Sequence, residues 1–321
     1  MIRLLASLLL LLAAAMPAAA QIEPGRPIRL IVGYGPGGSL DLVARVMAEL
    51  VRDRLGAPVV VENRTGAGGI IGSDLVAKAP PDGHTLVMGG GGSHGVTPAV
   101  KRNLPFDPDR DFTAIARVAD FANVMVVSAA LPVRSVQEFV GWARAQRGGV
   151  NFGSSGVGTS IHLTGELFRL RTGLEMTHVP YRGSGGSSAD LRAGQIQVIF
   201  DNLPSVIGQV QAGALRALAV TSATRAASLP EVPTMAEAGI ADFVVTSWVG
   251  PFGPAGLSPA TLAQLSRAFT EAAASPAGQE RLRALGAVPA AEDAAAFDAS
   301  WRQDMARWRR VVAEAGVPVE E

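Results

Sequence analysis

Three stretches of this chain carry residue types that could do chemistry. The first is Gly33-Tyr34-Gly35-Pro36-Gly37-Gly38-Ser39-Leu40-Asp41, between the apolar run Ile28–Val32 and a segment with helical periodicity. A helix N-terminus leaves its first N–H groups unpaired and carries partial positive charge. Glycines let a ligand approach that backbone with no Cβ in the way. The stretch is thus an anion cradle. It also spells G-x-G-x-x-G, and Glu62 stands where a ribose-binding acid would be. A dinucleotide is nevertheless disfavoured. Pro36 removes an N–H that a pyrophosphate would use, and the same strand–glycine loop–helix device recurs further along the chain. The second stretch, Gly91-Gly92-Ser93-His94-Gly95, spells G-x-S-x-G, the nucleophile elbow of a hydrolase. Such an enzyme needs a late histidine, yet none follows His178, so a triad would have to recruit His162 or His178. A serine and backbone amides in a binding loop is the plainer reading. The third signal is negative. There is no cysteine, no H-E-x-x-H, no EF-hand spacing and no Walker lysine, so no metal and no cofactor is expected.

Single residues leave two readings each. Asp41 either complements the helix dipole or accepts a hydrogen bond from ligand or water. Asp201, after the apolar run Ile196–Phe200, either caps a turn before Pro204 or faces a cleft. His162 packs in a first helical turn or touches a ligand, and Tyr181 belongs to a core or walls a cleft. Arg64 and Arg182 are solvated loop arginines or partners of an acidic ligand. Trp301 and Trp308 are packing residues.

The elements that must position these residues alternate strand and helix. Strands are predicted at 28–32, 59–62, 85–88, 121–128, 150–152, 176–179, 196–200, 215–220 and 246–249. Helices are predicted at 40–55, 71–78, 135–147, 160–171, 189–193 and 205–212, with 181–188 a loop, and the C-terminal remainder is helical at 259–274, 277–285 and 294–314. Ser135 and Glu138 form a capping box. The pattern argues for an α/β fold with mostly parallel sheets, whose glycine- and serine-rich loops gather on one edge. Five such loops, three before Asp120 and two after Asn151, are too many for one anion in one domain. Two facing domains result, 21–124 with 222–321 and 125–221, hinged near Val126–Ser128 and Val220–Ser222.

Composition narrows the function classes. The chain has 321 residues, with 28 basic and 28 acidic side chains, and lysine only at Lys78 and Lys101. Neither a nucleic-acid footprint nor a polybasic membrane patch is present. Met1–Ala20 reads as a leader, with Arg3, an apolar run Leu4–Ala15 and Ala18-Ala19-Ala20 before Gln21. Export to a bacterial periplasm follows, and the absence of cysteine argues against a lipid anchor. Nicotinamide cofactors are scarce there, a further point against the dinucleotide.

Seven motifs in order then point to a family. They are Arg26-Pro27-Ile28 leading to Pro36-Gly37-Gly38-Ser39-Leu40-Asp41, Val61–Gly69, Pro81-Asp82-Gly83-His84-Thr85-Leu86, Gly153–Gly158, His178–Gly183, Ala217–Ser222 and Val232–Gly239. Over essentially the whole mature length the chain resembles the Bug-type receptors, the substrate-binding proteins of tripartite tricarboxylate transporters. The resemblance implies a two-domain, Venus-flytrap fold like that of periplasmic binding proteins, and no catalysis. It implies a small carboxylate ligand, a di- or tricarboxylic, amino or aromatic acid, held largely by backbone amides and ordered water. The partners implied are that acid and membrane components of a transporter, or a sensor; the receptor is expected to be a monomer. Mapped onto this chain, the first jaw comprises Tyr34, Gly35, Gly37, Gly38, Ser39, Asp41, Ser93, His94 and Thr97. The second comprises Ser154, Ser155, Thr159, His162, Tyr181, Ser184 and Asp201. The chain departs from the family at Tyr34-Gly35, where a Phe-Ala-type pair is usual, at the bare run Gly89–Gly92, and at Arg182, where lysine is frequent. An arginine adds planar, bidentate capacity toward a carboxylate.

Overall fold

The computed structural model describes residues 22–315, so the expected leader lies outside the described residues. β1 (Ile28–Val32) is an apolar strand whose neighbours are both parallel, and α1 (Ser39–Leu55) follows it through the first glycine loop. Val43, Met47 and Val51 recur at helical spacing and bury one face of α1 against β1. Gly56, at φ +63°, ends the helix in the left-handed conformation that glycine adopts at little steric cost. β2 (Val59–Asn63), a 3-10 turn at Ala67–Gly69, α2 (Ile70–Ala77) and β3 (Thr85–Gly90) come next. The expected loop after β3 is instead a π-helical turn, Gly91–Val96, running into α3 (Thr97–Val100). β4 (Phe112–Ala114) precedes the long β5 (Arg117–Ser128).

The chain continues with α4 (Val136–Arg144), β6 (Val150–Ser154), α5 (Ser160–Thr172), β7 (Met176–Pro180), α6 (Ser184–Arg192), β8 (Val198–Asn202), α7 (Leu203–Gln211) and β9 (Leu215–Val220). It closes with β10 (Thr246–Pro254), α8 (Pro259–Ala274), α9 (Pro276–Ala284), β11 (Val288–Glu292) and α10 (Ala294–Ala315). Ser135 caps α4 as expected, accepting from Glu138 N at 3.1 Å, but the Glu138 carboxylate accepts from Arg134 N at 2.7 Å rather than from the cap residue.

Two elements differ from the sequence expectation. α6 begins at Ser184, five residues before the predicted helix start at Ala189. Serine and glycine are weak helix formers. Packing overrides them: Ser187 and Ser188 are buried, and a Cβ on Gly186 would press on the Tyr181 ring at 3.0 Å. Between the expected helices at 277–285 and 294–314, Val288–Glu292 forms an unexpected strand, β11, paired antiparallel with β5.

The sheet runs in the order β2-β1-β3-β10-β5-β8-β6-β7, with β9 and β11 also on β5 and β4 on β10. Its outer strands are parallel in each half, β2-β1-β3 and β7-β6-β8. β4, β5, β9, β10 and β11 pair antiparallel, so the sheet is mixed rather than mostly parallel. The reason is β5 and β10, which carry the chain out of one half and back into it side by side. Up to Ala122, β5 pairs with β10; from Asn123 it pairs with β8 and β9. The return falls at Val245–Thr246, with Thr246 opposite Ala122. The first crossing lies just before the expected hinge at Val126–Ser128, and the return lies beyond Val220–Ser222, whose Thr221 bonds Asn123 at the first crossing. The segment 222–245, assigned from sequence to the first domain, packs on the second half: Leu229 and Val232 join Val124, Val126 and Ile207, while Met235 and Phe243 join Phe139, Phe152 and Phe168. Burying each such phenylalanine contributes on the order of 2–3 kcal/mol. The first half has its own core on both sheet faces, Leu30, Val32, Leu265 and Phe269 on one and Ile31, Phe252, Phe297 and Trp301 on the other.

Candidate functional site

In parallel strands joined by helices, the loops entering those helices gather at the strands' C-terminal edge. Here the two halves turn those edges toward each other. Between them lies a cavity of about 430 Å3. Tyr34, Gly38, Ser39, Leu40, Gly90, Gly92, Ser93 and Ser247 line it from the first half. Ser155, Thr159, Ser160, Ile161, Ser184 and Asn202 line it from the second. No lining residue carries a charge.

Helix N-termini from both halves converge on this space: α1 from the first, and α5, α6 and α7 from the second. At α1, Gly38 N donates to Gly35 O and Leu42 N to Gly38 O, which leaves Ser39, Leu40 and Asp41 N–H without a protein acceptor among the described residues. At α5, the Thr159 hydroxyl caps His162 N and Leu163 N bonds Thr159 O, leaving Ser160 and Ile161 N–H open. Such groups hold an anion by hydrogen bonds and dipoles, without a formal positive charge. The halves touch across the cavity: Asn202 Nδ2 donates to Ser39 Oγ at 2.8 Å. A Cβ on Gly92 would stand 3.3 Å from Ser160 N.

Residues 43–317 match the family described as the tripartite tricarboxylate transporter family receptor. The chain belongs to this receptor family. It is 37% identical to Protein BugT of Bordetella pertussis over 307 residues, 95% of this chain and 94% of BugT. The solved structure of R. palustris Rpa4515 with adipate superposes with a TM-score of 0.87 at 35% identity, covering 91% of this chain and 98% of that one. MatC from Rhodopseudomonas palustris, solved with bound malate, gives 0.84 at 29% identity, covering 90% and 100%. The architecture is that of periplasmic binding proteins, and the relatives are solute receptors, not enzymes.

The receptor's own geometry agrees with a non-catalytic role for Ser93 and His94. Ser93 Oγ lies 2.9 Å from His94 Nδ1. The His94 ring, however, is stacked on Phe252 at 4.6 Å and meets Phe112 edge-on at 5.1 Å. Burial holds its pKa down at about 3, so it stays neutral, and its Nε2 has no partner. A histidine with so low a pKa is a poor general base at neutral pH.

Of the sixteen candidates, Tyr34, Gly38, Ser39, Ser93, Ser155, Thr159 and Ser184 line the cavity. The other nine stand behind or beside it. Asp41 is buried and fully engaged: its carboxylate accepts from Arg45 Nε and Nη2 at 3.0 and 2.9 Å, from Gly37 N at 2.9 Å and from Asn63 Nδ2 at 2.9 Å. Burial works against its ionised form, but these hydrogen bonds prevail and hold its pKa below the usual range. Gly37 therefore gives its N–H to Asp41. Its φ of +80° requires glycine, while a Cβ there would meet nothing within 4 Å. The backbone conformation is thus one reason for glycine at this position, and the space where a Cβ would stand is open.

Gly35 faces Gly183 across the cleft, at 3.2 Å from its ideal Cβ position. Thr97 is buried at the start of α3. Ser154 bonds His178 Nε2 at 2.6 Å and Gly156 N at 3.1 Å, and His162 accepts from Gly158 N and stacks on His178 at 3.9 Å. These three hold the Gly153–Thr159 loop from behind. Tyr181 donates to Asp190 at 2.6 Å and lines a neighbouring cavity with Tyr34, Lys101 and Arg182. Arg64 is paired with Glu62 at 2.9 Å. Asp201 lies beneath the cavity, accepting from Ser184 Oγ at 2.8 Å and from Asn202 N at 2.7 Å.

Seven lining residues were not singled out from sequence: Leu40, Gly90, Gly92, Ser160, Ile161, Asn202 and Ser247. Six of them are chain neighbours of named positions or sit in the named glycine loop; Ser247 alone does not. Asn202 is the instructive one. Adjacent strand side chains point to opposite faces, and sequence reasoning chose Asp201 of the pair. Ser247 is the second residue of β10, which has no glycine loop to mark it.

Proposed function

We propose that the receptor binds a small organic acid in the cavity between its halves and delivers it, after export to the periplasm, to a membrane transporter of the tripartite type. The observation that carries this reading is the convergence of helix N-termini from both halves on one uncharged, hydroxyl-rich cavity. A carboxylate there accepts hydrogen bonds from backbone N–H groups of α1 and α5 and from serine hydroxyls. Relatives solved with adipate and with malate, both dicarboxylates, support the same ligand class.

The binding cycle is a hinge closure between two domains, 22–122 with 246–315 and 123–245. The open form binds the acid on one face; contacts from the second face exist only in the closed form, so the ligand shifts the population toward closure. The Asn202–Ser39 hydrogen bond and the Gly92–Ser160 approach belong to that closed form.

The test is calorimetry on the leaderless receptor, stripped of co-purified ligand by unfolding and refolding, against a panel of mono-, di- and tricarboxylates. A saturable, one-to-one isotherm for at least one acid is expected. An intact receptor that binds none of them, while binding a neutral or cationic solute, overturns the proposal.

A further inference from the structure

Two buried polar groups at the floor of the cavity stand out because an anion site has no obvious use for them. Asp201 is 1% exposed and Asn202 6% exposed. They end β8 where α7 begins. Asp201 has no ion-pair partner among the described residues, and its Oδ2 makes no hydrogen bond of good geometry, although the nearby Ser205 hydroxyl favours its ionised form. Burial pushes its pKa up to about 6, so it is ionised at neutral pH. A buried carboxylate beneath an acid-binding cavity opposes both folding and anion binding unless it has a further role.

Its hydrogen bonds define that role. A hydroxyl has one proton to give and two lone pairs. Ser184 Oγ gives its proton to Asp201 Oδ1 at 2.8 Å, so toward the cavity it lines it offers lone pairs only. Asn202 commits Nδ2 to Ser39 Oγ, and its buried Oδ1, without a partner, is a second acceptor beside the same cavity. The open N–H groups of α1 and α5 donate from the remaining wall. The floor thus offers side-chain acceptors, Ser184 Oγ and Asn202 Oδ1, beside the N–H donors at the helix starts.

We propose that the Asp201–Ser184 pair and Asn202 Oδ1 form a specificity subsite for a hydrogen-bond donor on the ligand, a hydroxyl or ammonium group carried next to a carboxylate. Asp201 is the positioning residue and Ser184 the contact. The inference rests on the carboxylate-binding reading above and narrows it to hydroxy or amino acids. An unsubstituted acid leaves the two acceptors buried and unpaired, which costs about tenfold in affinity.

The experiment is calorimetry on the stripped receptor with matched acids: succinate, malate, 2-methoxysuccinate and aspartate, then glutarate, 2-hydroxyglutarate and glutamate. The expected result is at least tenfold tighter binding of the hydroxy or amino member than of the plain acid, with the methoxy compound, which has no proton to give, behaving like succinate. The two donor types, hydroxyl and ammonium, are told apart by malate against aspartate. In Asp201→Asn and Ser184→Ala the ratio of substituted to plain affinity falls toward one. A merely structural role would weaken all ligands alike and keep the ratio, which overturns the assignment. So does a wild-type receptor that binds plain and substituted acids equally, a result that needs no variant and leaves the carboxylate reading standing. Failure of every acid here and in the wider carboxylate panel, with a neutral or cationic solute bound instead, overturns both.

Discussion

A Cβ on Gly92 would stand only 3.3 Å from Ser160 N across the cavity and 3.8 Å from Thr159 Cα. Valine at this position would hold the halves apart. Gly92→Val is expected to weaken acid binding at least tenfold, about 1.4 kcal/mol, by calorimetry, while ligand-free melting moves by little. The two aspartates behind the site respond to pH in opposite directions. The Asp41 pKa is depressed, so its contribution is present above the unfolded value near 4 and is lost as pH falls through the folded value. Melting curves of Asp41→Asn should therefore lie below wild type at pH 7 and converge with it in acid. The Asp201 pKa is raised to about 6, so its burden on folding grows as pH rises from about 4 to 6 and is constant above. Asp201→Asn is expected to be more stable than wild type at pH 7, by on the order of 2–3 kcal/mol, with no gain at pH 4. A thermal scan across pH that shows the gain in acid instead would reverse the assignment. At this scale the sequence was half legible. The serines and glycines of the βα loops declared themselves, because helix entry fixes where their N–H groups point. Asp41 was ambiguous because its partners, Arg45 one turn on and Asn63 on the next strand, are set by tertiary structure.

At the scale of elements, the crossing between halves is held by Thr221. Its hydroxyl oxygen accepts from Asn123 N at 2.9 Å and lies 3.1 Å from Asn123 O and 2.5 Å from Val245 O, while Val245 N bonds Thr221 O at 2.9 Å. Thr221→Val leaves the buried Asn123 N–H unpaired, a loss of about 1–3 kcal/mol. A drop of several degrees in melting temperature is expected, largely restored in Thr221→Ser. The strands and helices with strong periodicity, β1, α1, α5, β9 and α8, were readable to within a residue or two. β11 was not, since Val-Pro-Ala-Ala-Glu has little strand character and is a strand only because β5 lies beside it. α6 was missed at its start because its Ser-Gly-Gly-Ser-Ser opening is chosen for close packing rather than for helix formation. The return crossing was misplaced for a related reason: 222–245 has little regular structure, and only burial of Met235 and Phe243 shows which half it serves.

For the whole molecule, binding to the native state alone adds RT ln(1 + [L]/Kd), about 2.7 kcal/mol at a hundredfold excess over Kd. An acid that binds should raise the melting temperature by several degrees and, if closure accompanies binding, reduce the radius of gyration in X-ray scattering. A shift in melting with no compaction would mean that the ligand occupies one half alone. The α/β class and the facing loops followed from the alternation of strands and helices. The mixed sheet did not, because antiparallel pairing of β5 with β10 follows from the path out and back, which no local pattern encodes.

The uncharged lining has a kinetic consequence. An acid seated among N–H dipoles has no salt bridge to break on leaving, and its donors are divided between two bodies. Once the halves part, neither retains a full set, and the grip falls away with the opening itself. Residence time is then governed by how long the jaws stay shut. A transporter that pries them apart need not compete with the receptor for its cargo.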